Sequence, residues 1–309
     1  MKQSKGFYPE KTKESRAKYM SVNLAYNLME NNPDSMLKKS YQGTVHCLET
    51  RLERGTANGV KLTSTYCKNR WCAVCNRIRT AVLINGYEPV IKQMEEPYFV
   101  TLTKQTVSAF NLPKSIIFMQ NSWRKILNDR EGRKRKIQGV RKAECTIRPN
   151  NHYHYHYHVV IDGKENAKWL VSEWLKQMGS LADSKAQDIR PADQNSLKEL
   201  FKYFTKLTTK TGGLIDYKRM DVIFRALRGK RVYQPFGGVS PVEEEIDEIS
   251  EEELKVLSDQ LQHYERIWNW SDELTDWVTV DGEGGVVGRL TGYQPNEKFK
   301  GLFDSKDIA

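Results

Sequence analysis

The 309-residue chain has no apolar run approaching the ~18 residues that a membrane helix needs, and its first twenty residues carry no apolar stretch of the kind found in a secretory leader. These absences lead us to expect a cytoplasmic protein with no membrane contact. Cysteine is scarce: there are five, an odd number, and four of them fall between positions 47 and 75. That argues against a disulfide framework and for metal binding in a reducing compartment. Acidic residues are sparse over most of the chain. Residues 1–239 hold 43 bases against 21 acids, whereas residues 240–309 hold 18 acids against 6 bases. A body with that positive excess attracts a polyanion, nucleic acid first.

An apolar fraction of 39% is enough to build a core. The first 40 residues read as polar and helical. Tyr98-Phe99-Val100-Thr101-Leu102-Thr103, behind Pro97, reads as a buried strand. Ile116, Ile117, Met119, Trp123, Ile126 and Leu127 recur at near-helical spacing and predict a helix from Leu112 to about Leu127. A hairpin is expected from Val140 to Ile161, turning at Arg148-Pro149-Asn150-Asn151. Helices over residues 167–178 and 197–207 and short strands near 222–227 and 231–239 follow. An acidic amphipathic helix over 243–262 closes the reading.

Cys47, Cys67, Cys72 and Cys75 stand as C-x19-C-x4-C-x2-C. A C-x2-C pair puts two thiolates on one knuckle, and a second pair completes a closed tetrahedral site for structural Zn²⁺. His46 is an alternative to Cys47 as a ligand. Gly43, Gly55 and Gly59 suit the turns of a zinc-ribbon-like module, and the nearby Arg70, Arg77 and Arg79 suit a DNA-facing surface.

The run His152-Tyr153-His154-Tyr155-His156-Tyr157-His158-Val159 alternates with period two. On a strand, all four histidines share one face and the tyrosines face a core. Two histidines at i and i+2 can ligate one ion. Glu144, on the other strand of the hairpin, is the natural third ligand, and its oxygen suits Mg²⁺ or Mn²⁺. Cys145 would be its core-facing neighbour. In Ser196-Leu197-Lys198-Glu199-Leu200-Phe201-Lys202-Tyr203-Phe204-Thr205-Lys206-Leu207, the apolar residues form one helical stripe. Glu199, Lys202, Tyr203 and Lys206 share the opposite face. A tyrosine flanked by lysines is a candidate nucleophile for phosphodiester transesterification. Ser196 and Glu199 also fit a capping box.

Taken in order, Phe99-Val100-Thr101-Leu102-Thr103, His154-Tyr155-His156-Tyr157-His158-Val159 and Glu199-x-x-Lys202-Tyr203-x-x-Lys206 resemble the three motifs of rolling-circle plasmid replication initiators. These initiators belong to the HUH endonuclease superfamily, in the branch with a cysteine motif and a single catalytic tyrosine. The Cys67-to-Arg77 segment, and Leu227-Arg228-Gly229-Lys230-Arg231 followed by Gly237-Gly238-Val239, are similar to further segments of that family. The resemblance covers roughly residues 45–240. It implies an α+β fold with a ferredoxin-like antiparallel sheet, the histidine strand central and the tyrosine helix over it. It implies His156, His158 and Glu144 as ligands of a catalytic Mg²⁺ or Mn²⁺, and Tyr203 as the nicking residue. Glu199 would activate water for termination, and Lys202, Lys206 and Arg77 would contact DNA. The expected partners are origin duplex and single-stranded DNA, a host helicase and polymerase in a bacterial cytoplasm, and a second copy of the chain. The expected organisation is a helical segment (1–40), a zinc-binding module (41–90), a nuclease domain (91–239) and an acidic segment (240–309). A related transposase or mobilisation relaxase, or a zinc-dependent DNA-binding regulator without nuclease activity, is the competing reading.

Overall fold

The computed structural model describes residues 7–56, 59–201, 215–242 and 266–300. The expected acidic helix over 243–262 and the stretch 202–214 lie outside them. The fold is α+β with antiparallel sheets. In chain order the elements are α1 (Thr12–Asn31), α2 (Lys38–Val45), β1 (Thr50–Thr56), β2 (Gly59–Ser64), α3 (Ala73–Lys92), β3 (Pro97–Leu102), β4 (Val107–Ser108), α4 (Leu112–Asn128) and α5 (Arg130–Lys134). Then come β5 (Gly139–Arg148), β6 (His152–Asp162), α6 (Lys164–Met178), β7 (Asp188–Pro191), α7 (Gln194–Phe201), α8 (Tyr217–Leu227), β8 (Tyr233–Phe236), β9 (Arg266–Ser271), β10 (Asp276–Val280) and β11 (Val286–Arg289). No helix among the described residues is long and apolar enough to cross a membrane.

The chain divides into two compact units. The first takes the described residues up to 78 together with 215–218 and 266–300. Its sheet runs β11-β10-β9-β1-β2, so strands far apart in sequence become neighbours, with Thr50 opposite Asn269 and Glu53 opposite Arg266. Burial of Trp268 and Trp277 drives this pairing. Each indole N–H finds an acceptor, Glu53 Oε2 at 2.7 Å for Trp268 and the Leu48 carbonyl at 2.8 Å for Trp277. The Asp276 carboxylate is fully buried, and it accepts from the Thr291 hydroxyl at 2.8 Å and the Gly292 N–H at 2.7 Å.

The second unit holds residues 79–201 and 219–242 of the described chain. Its sheet runs β7-β3-β6-β5-β8, with β4 also paired to β6. The expected hairpin is β5–β6, joined at Pro149-Asn150-Asn151, where both asparagines take left-handed backbone angles (φ 54° and 55°). Asparagine tolerates that region better than branched residues do. The helix expected from Leu112 is α4, which buries Leu112, Ile116, Met119, Trp123 and Ile126 along one stripe. α4 and α6 cover the tyrosine face of β6: the Trp123 and Trp174 rings pack edge-on against Tyr157. Leu83, Tyr87 and Ile91 of α3 join Leu200 and Phe201 of α7 in a core with Phe99, Val140 and Val160, on the opposite face of the sheet.

One expected strand is a helix. Residues 222–227 carry β-branched and aromatic side chains, but they form the second half of α8. Tyr217, Met220, Ile223, Phe224 and Leu227 are all buried, at the i, i+3, i+4, i+7 spacing of an amphipathic helix. That longer periodicity outweighs the local β-propensity of Val222-Ile223-Phe224.

Candidate functional site

The pairing of β5 with β6 decides which side chains meet. Glu144 stands opposite His156, Lys142 opposite His158, and Thr146 opposite His154. Directly opposed residues project from the same face, so the carboxylate, the lysine and the histidines share one surface while Cys145 and the tyrosines occupy the other. Cys145 and Tyr155 are buried there, as the alternation requires. Arg219 of α8 fastens the turn end of this hairpin, donating to the Arg148 and His152 carbonyls beneath the Tyr153 ring.

His156 Nε2 lies 3.2 Å from His158 Nε2, and Glu144 Oε2 lies 3.5 Å from His158 Nε2. The donor atoms of the three residues all fall within 4.8 Å of one another. Ligands bound at ~2.1 Å and at right angles lie ~3 Å apart, so this spacing suits one small ion. The second contacts of the rings support the same reading. His156 Nδ1 faces the His154 carbonyl oxygen at 3.2 Å, which can only accept, so the ring carries its proton there and leaves Nε2 a lone pair. Thr101 Oγ1 meets His158 Nδ1 at 3.3 Å. Two imidazole nitrogens facing each other at 3.2 Å need a cation or a proton between them, and a divalent ion fits this donor set.

The electrostatics keep His156 neutral and Glu144 ionised. Burial, reinforced by the neighbouring His158, pushes the His156 imidazole down to about 3. Burial alone would raise the Glu144 carboxyl, but the hydrogen bond with His158 and the charge of Lys142 hold it well below the usual carboxylate range. Lys142 is buried, and its Nζ donates to Glu144 Oε2 at 3.0 Å and to the Glu199 carbonyl at 3.1 Å. It thereby connects β5 to the last turn of α7. His154 stacks on His156, with ring centroids 4.8 Å apart, and receives Arg148 Nη2 at 3.3 Å. His152 sits at the strand end, against the Asn150 carbonyl.

Glu199 is exposed on α7, and its carboxylate meets Arg190 at 3.1 Å. The capping-box role expected as an alternative is taken by Asp193, whose Oδ1 accepts both the N–H and the hydroxyl of Ser196 at 2.7 Å. Tyr203, Lys202 and Lys206 lie outside the described residues. Tyr217 and Tyr233 are buried. Burial pushes the Tyr217 hydroxyl up to about 12, and the Tyr233 hydroxyl donates to the Leu200 carbonyl at 3.0 Å.

In the first unit the four sulfurs of Cys47, Cys67, Cys72 and Cys75 also fall within 4.8 Å of one another. Cys75 Sγ lies 3.6 Å from Cys47 Sγ and 3.8 Å from Cys67 Sγ. Bonds of ~2.3 Å at tetrahedral angles place sulfurs ~3.8 Å apart, so the cluster can hold a metal such as zinc. Backbone N–H groups of Cys67 and Lys68 donate to Cys47 and Cys75 sulfurs at 3.4 and 3.2 Å, an arrangement that stabilises thiolates. His46 points away, to Glu49 at 2.8 Å, which leaves Cys47 as the residue of that pair in the cluster. Arg77 is exposed and donates to the Lys13 carbonyl, whereas Arg79 is buried.

Residues 60–279, more than two thirds of the chain, match the family model Rep_1, described as replication protein. The chain belongs to this replication-protein family. No curated protein and no solved structure gives a significant match. In this replication protein, the residues that sequence reasoning missed are Lys142, Thr101 and Arg190, each of which orients a flagged side chain. The signal for Lys142 was present, because the alternation that pairs Glu144 with His156 also puts Lys142 opposite His158.

Proposed function

We propose that this replication protein initiates rolling-circle replication of a plasmid by nicking one strand at the double-strand origin through Tyr203. The observation that carries the reading is the convergence of Glu144, His156 and His158 on one sheet face, bound through Lys142 to the helix that leads toward Tyr203. The β7-β3-β6-β5-β8 order, with helices on both faces, supports a ferredoxin-like HUH nuclease fold for the second unit.

On this reading, Glu144, His156 and His158 hold a Mg²⁺ or Mn²⁺ ion, and Thr101 and the His154 carbonyl keep the two rings oriented toward it. When bound, the ion supplies Lewis-acid polarisation of the scissile phosphate. Lys202 and Lys206 draw the phosphate in. The Tyr203 hydroxyl gives its proton to water and its oxygen attacks phosphorus. The P–O bond to the 3′ oxygen breaks and that oxygen takes a proton back from water, giving a 5′-phosphotyrosine and a free 3′-OH for a polymerase to extend. The phosphodiester energy is conserved in the new linkage, so rejoining needs no nucleotide. At termination, Glu199 accepts a proton from the water or hydroxyl that releases the product. Cys47, Cys67, Cys72 and Cys75 hold a structural Zn²⁺, and Arg77 contacts DNA beside it.

Incubation with supercoiled origin plasmid and Mn²⁺ tests the reading. A nicked product bound covalently to protein at its 5′ end supports it. Binding without any nick returns the regulator reading, and nicking of a transfer-type or transposon-end site in place of an origin returns the relaxase or transposase reading.

A further inference from the structure

The outer face of α4 carries an arrangement that the proposed nicking site does not use. Phe110, just before the helix, is 80% exposed, and Lys114 Nζ sits 5.5 Å above its ring. One turn further on, Phe118 is also exposed. It borders an open cleft between α4 and α6, lined by Asn121, Arg124, Lys125 and Gln177. The charge in this region has one sign: residues 110–136 hold eight Lys and Arg against two acids, and one of those acids, Glu131, is paired with Arg135. Burying large aromatic rings is the ordinary outcome of folding, so two exposed rings set among cations and amides point to a ligand that stacks and carries negative charge.

We propose that this face binds single-stranded DNA, with unpaired bases stacked on Phe110 and Phe118. Arg124, Lys125 and Lys114 would meet the phosphates, and the Asn121 and Gln177 amides would reach base edges. Duplex DNA hides its base faces and offers such rings nothing to stack on. α4 and α6 lie on the tyrosine face of β6, the reverse of the face bearing His156 and His158. A nucleotide held here is therefore on the sheet face opposite the metal ligands and away from the bond to be cut. In a protein that opens an origin, this surface suits the displaced strand.

The test uses the full chain without added divalent ion, so that cleavage plays no part. Fluorescence anisotropy would follow a labelled 20-mer of thymidine and a 20-base-pair duplex. Phe110→Ala with Phe118→Ala should weaken oligothymidine binding by ~10-fold or more, since each stacked base contributes substantially to affinity, and leave duplex binding within twofold. Phe110 is 80% exposed and Phe118 39%, so the thermal midpoint should move by no more than a few degrees. As a second variant, Lys114→Glu with Arg124→Glu and Lys125→Glu should lower the salt slope for the oligonucleotide by about 2, close to 0.7 per lost phosphate contact. Unchanged oligothymidine affinity in the phenylalanine variant would overturn the proposal. So would equal losses for oligonucleotide and duplex, or a loss of self-association in sedimentation with DNA affinity intact, which would assign the face to a second copy of the chain.

Discussion

Replacing Glu144 by Gln tests the buried electrostatics of the proposed metal site without any metal present. The Lys142 side chain is 4% exposed and that of Glu144 16%, with 3.0 Å between Nζ and Oε2. Removing one member of a buried ion pair costs about 3–5 kcal/mol, because the other charge is left uncompensated. Two features reduce that figure here. The carboxamide oxygen can still accept from Lys142, and the Glu199 carbonyl already accepts from it at 3.1 Å. We expect about 2 kcal/mol for Glu144→Gln and a similar loss for Lys142→Met. The double variant removes both charges and should cost only ~1–2 kcal/mol, so the cycle should give a coupling of about 2–3 kcal/mol. Urea unfolding of the four proteins without divalent ions measures it. The Glu144 carboxyl is held below its ordinary value, so the pair's contribution should be complete above the unfolded carboxyl value of about 4.3 and fade as the pH falls below it. A coupling below ~0.5 kcal/mol at pH 7 would refute the argument, since it would mean that water screens the pair.

Tyr203→Phe should abolish nicking while origin binding, read by mobility shift, stays within about twofold; an active variant would exclude Tyr203 as the nucleophile. His156→Ala and His158→Ala should each weaken Mn²⁺ binding in calorimetry by ~10-fold or more, whereas His152→Ala, at the strand end against Asn150, should change it little. Protein purified without chelator should carry one zinc per chain by elemental analysis, and stripping it should melt the first unit, because closed thiolate sites supply folding free energy. Stability of the ion-free protein should fall as pH drops from about 6.5 toward 3, because the unfolded chain protonates His156 and the folded one does not. The slope from His156 alone is ~1.4 kcal/mol per pH unit, and a flat profile by thermal denaturation would contradict it.

The parts of this molecule that were legible in the sequence are those governed by short-range periodicity. Alternation over 152–158 placed the histidines and tyrosines on opposite faces, and the stripe of Leu112, Ile116, Met119 and Trp123 marked α4. Cysteine spacing was enough to bring out a four-sulfur cluster, because the C-x2-C knuckle is a local structure. The pairing of β9 with β1 was not legible, since nothing in residues 266–271 names a partner some 215 residues earlier. The buried tryptophans there signalled a core but not whose core it was. The strand expected over 222–227 gives way to α8 because β-propensity over six residues yields to a helical period carried by eleven. The burial of Lys142 is not legible in the sequence, because lysines on strands usually reach solvent and the Glu199 carbonyl that receives it belongs to a helix some 57 residues later.

In the proposed nicking site a metal held by Glu144, His156 and His158 serves a tyrosine nucleophile. Mass spectrometry of the protein after reaction with origin DNA, Mn²⁺ and nuclease trimming locates the covalent bond. A 5′-linked nucleotide is expected on Tyr203, absent without Mn²⁺ and absent in His158→Ala. An adduct on Tyr217 or Tyr233, or one that forms equally well without a divalent ion, would contradict that assignment.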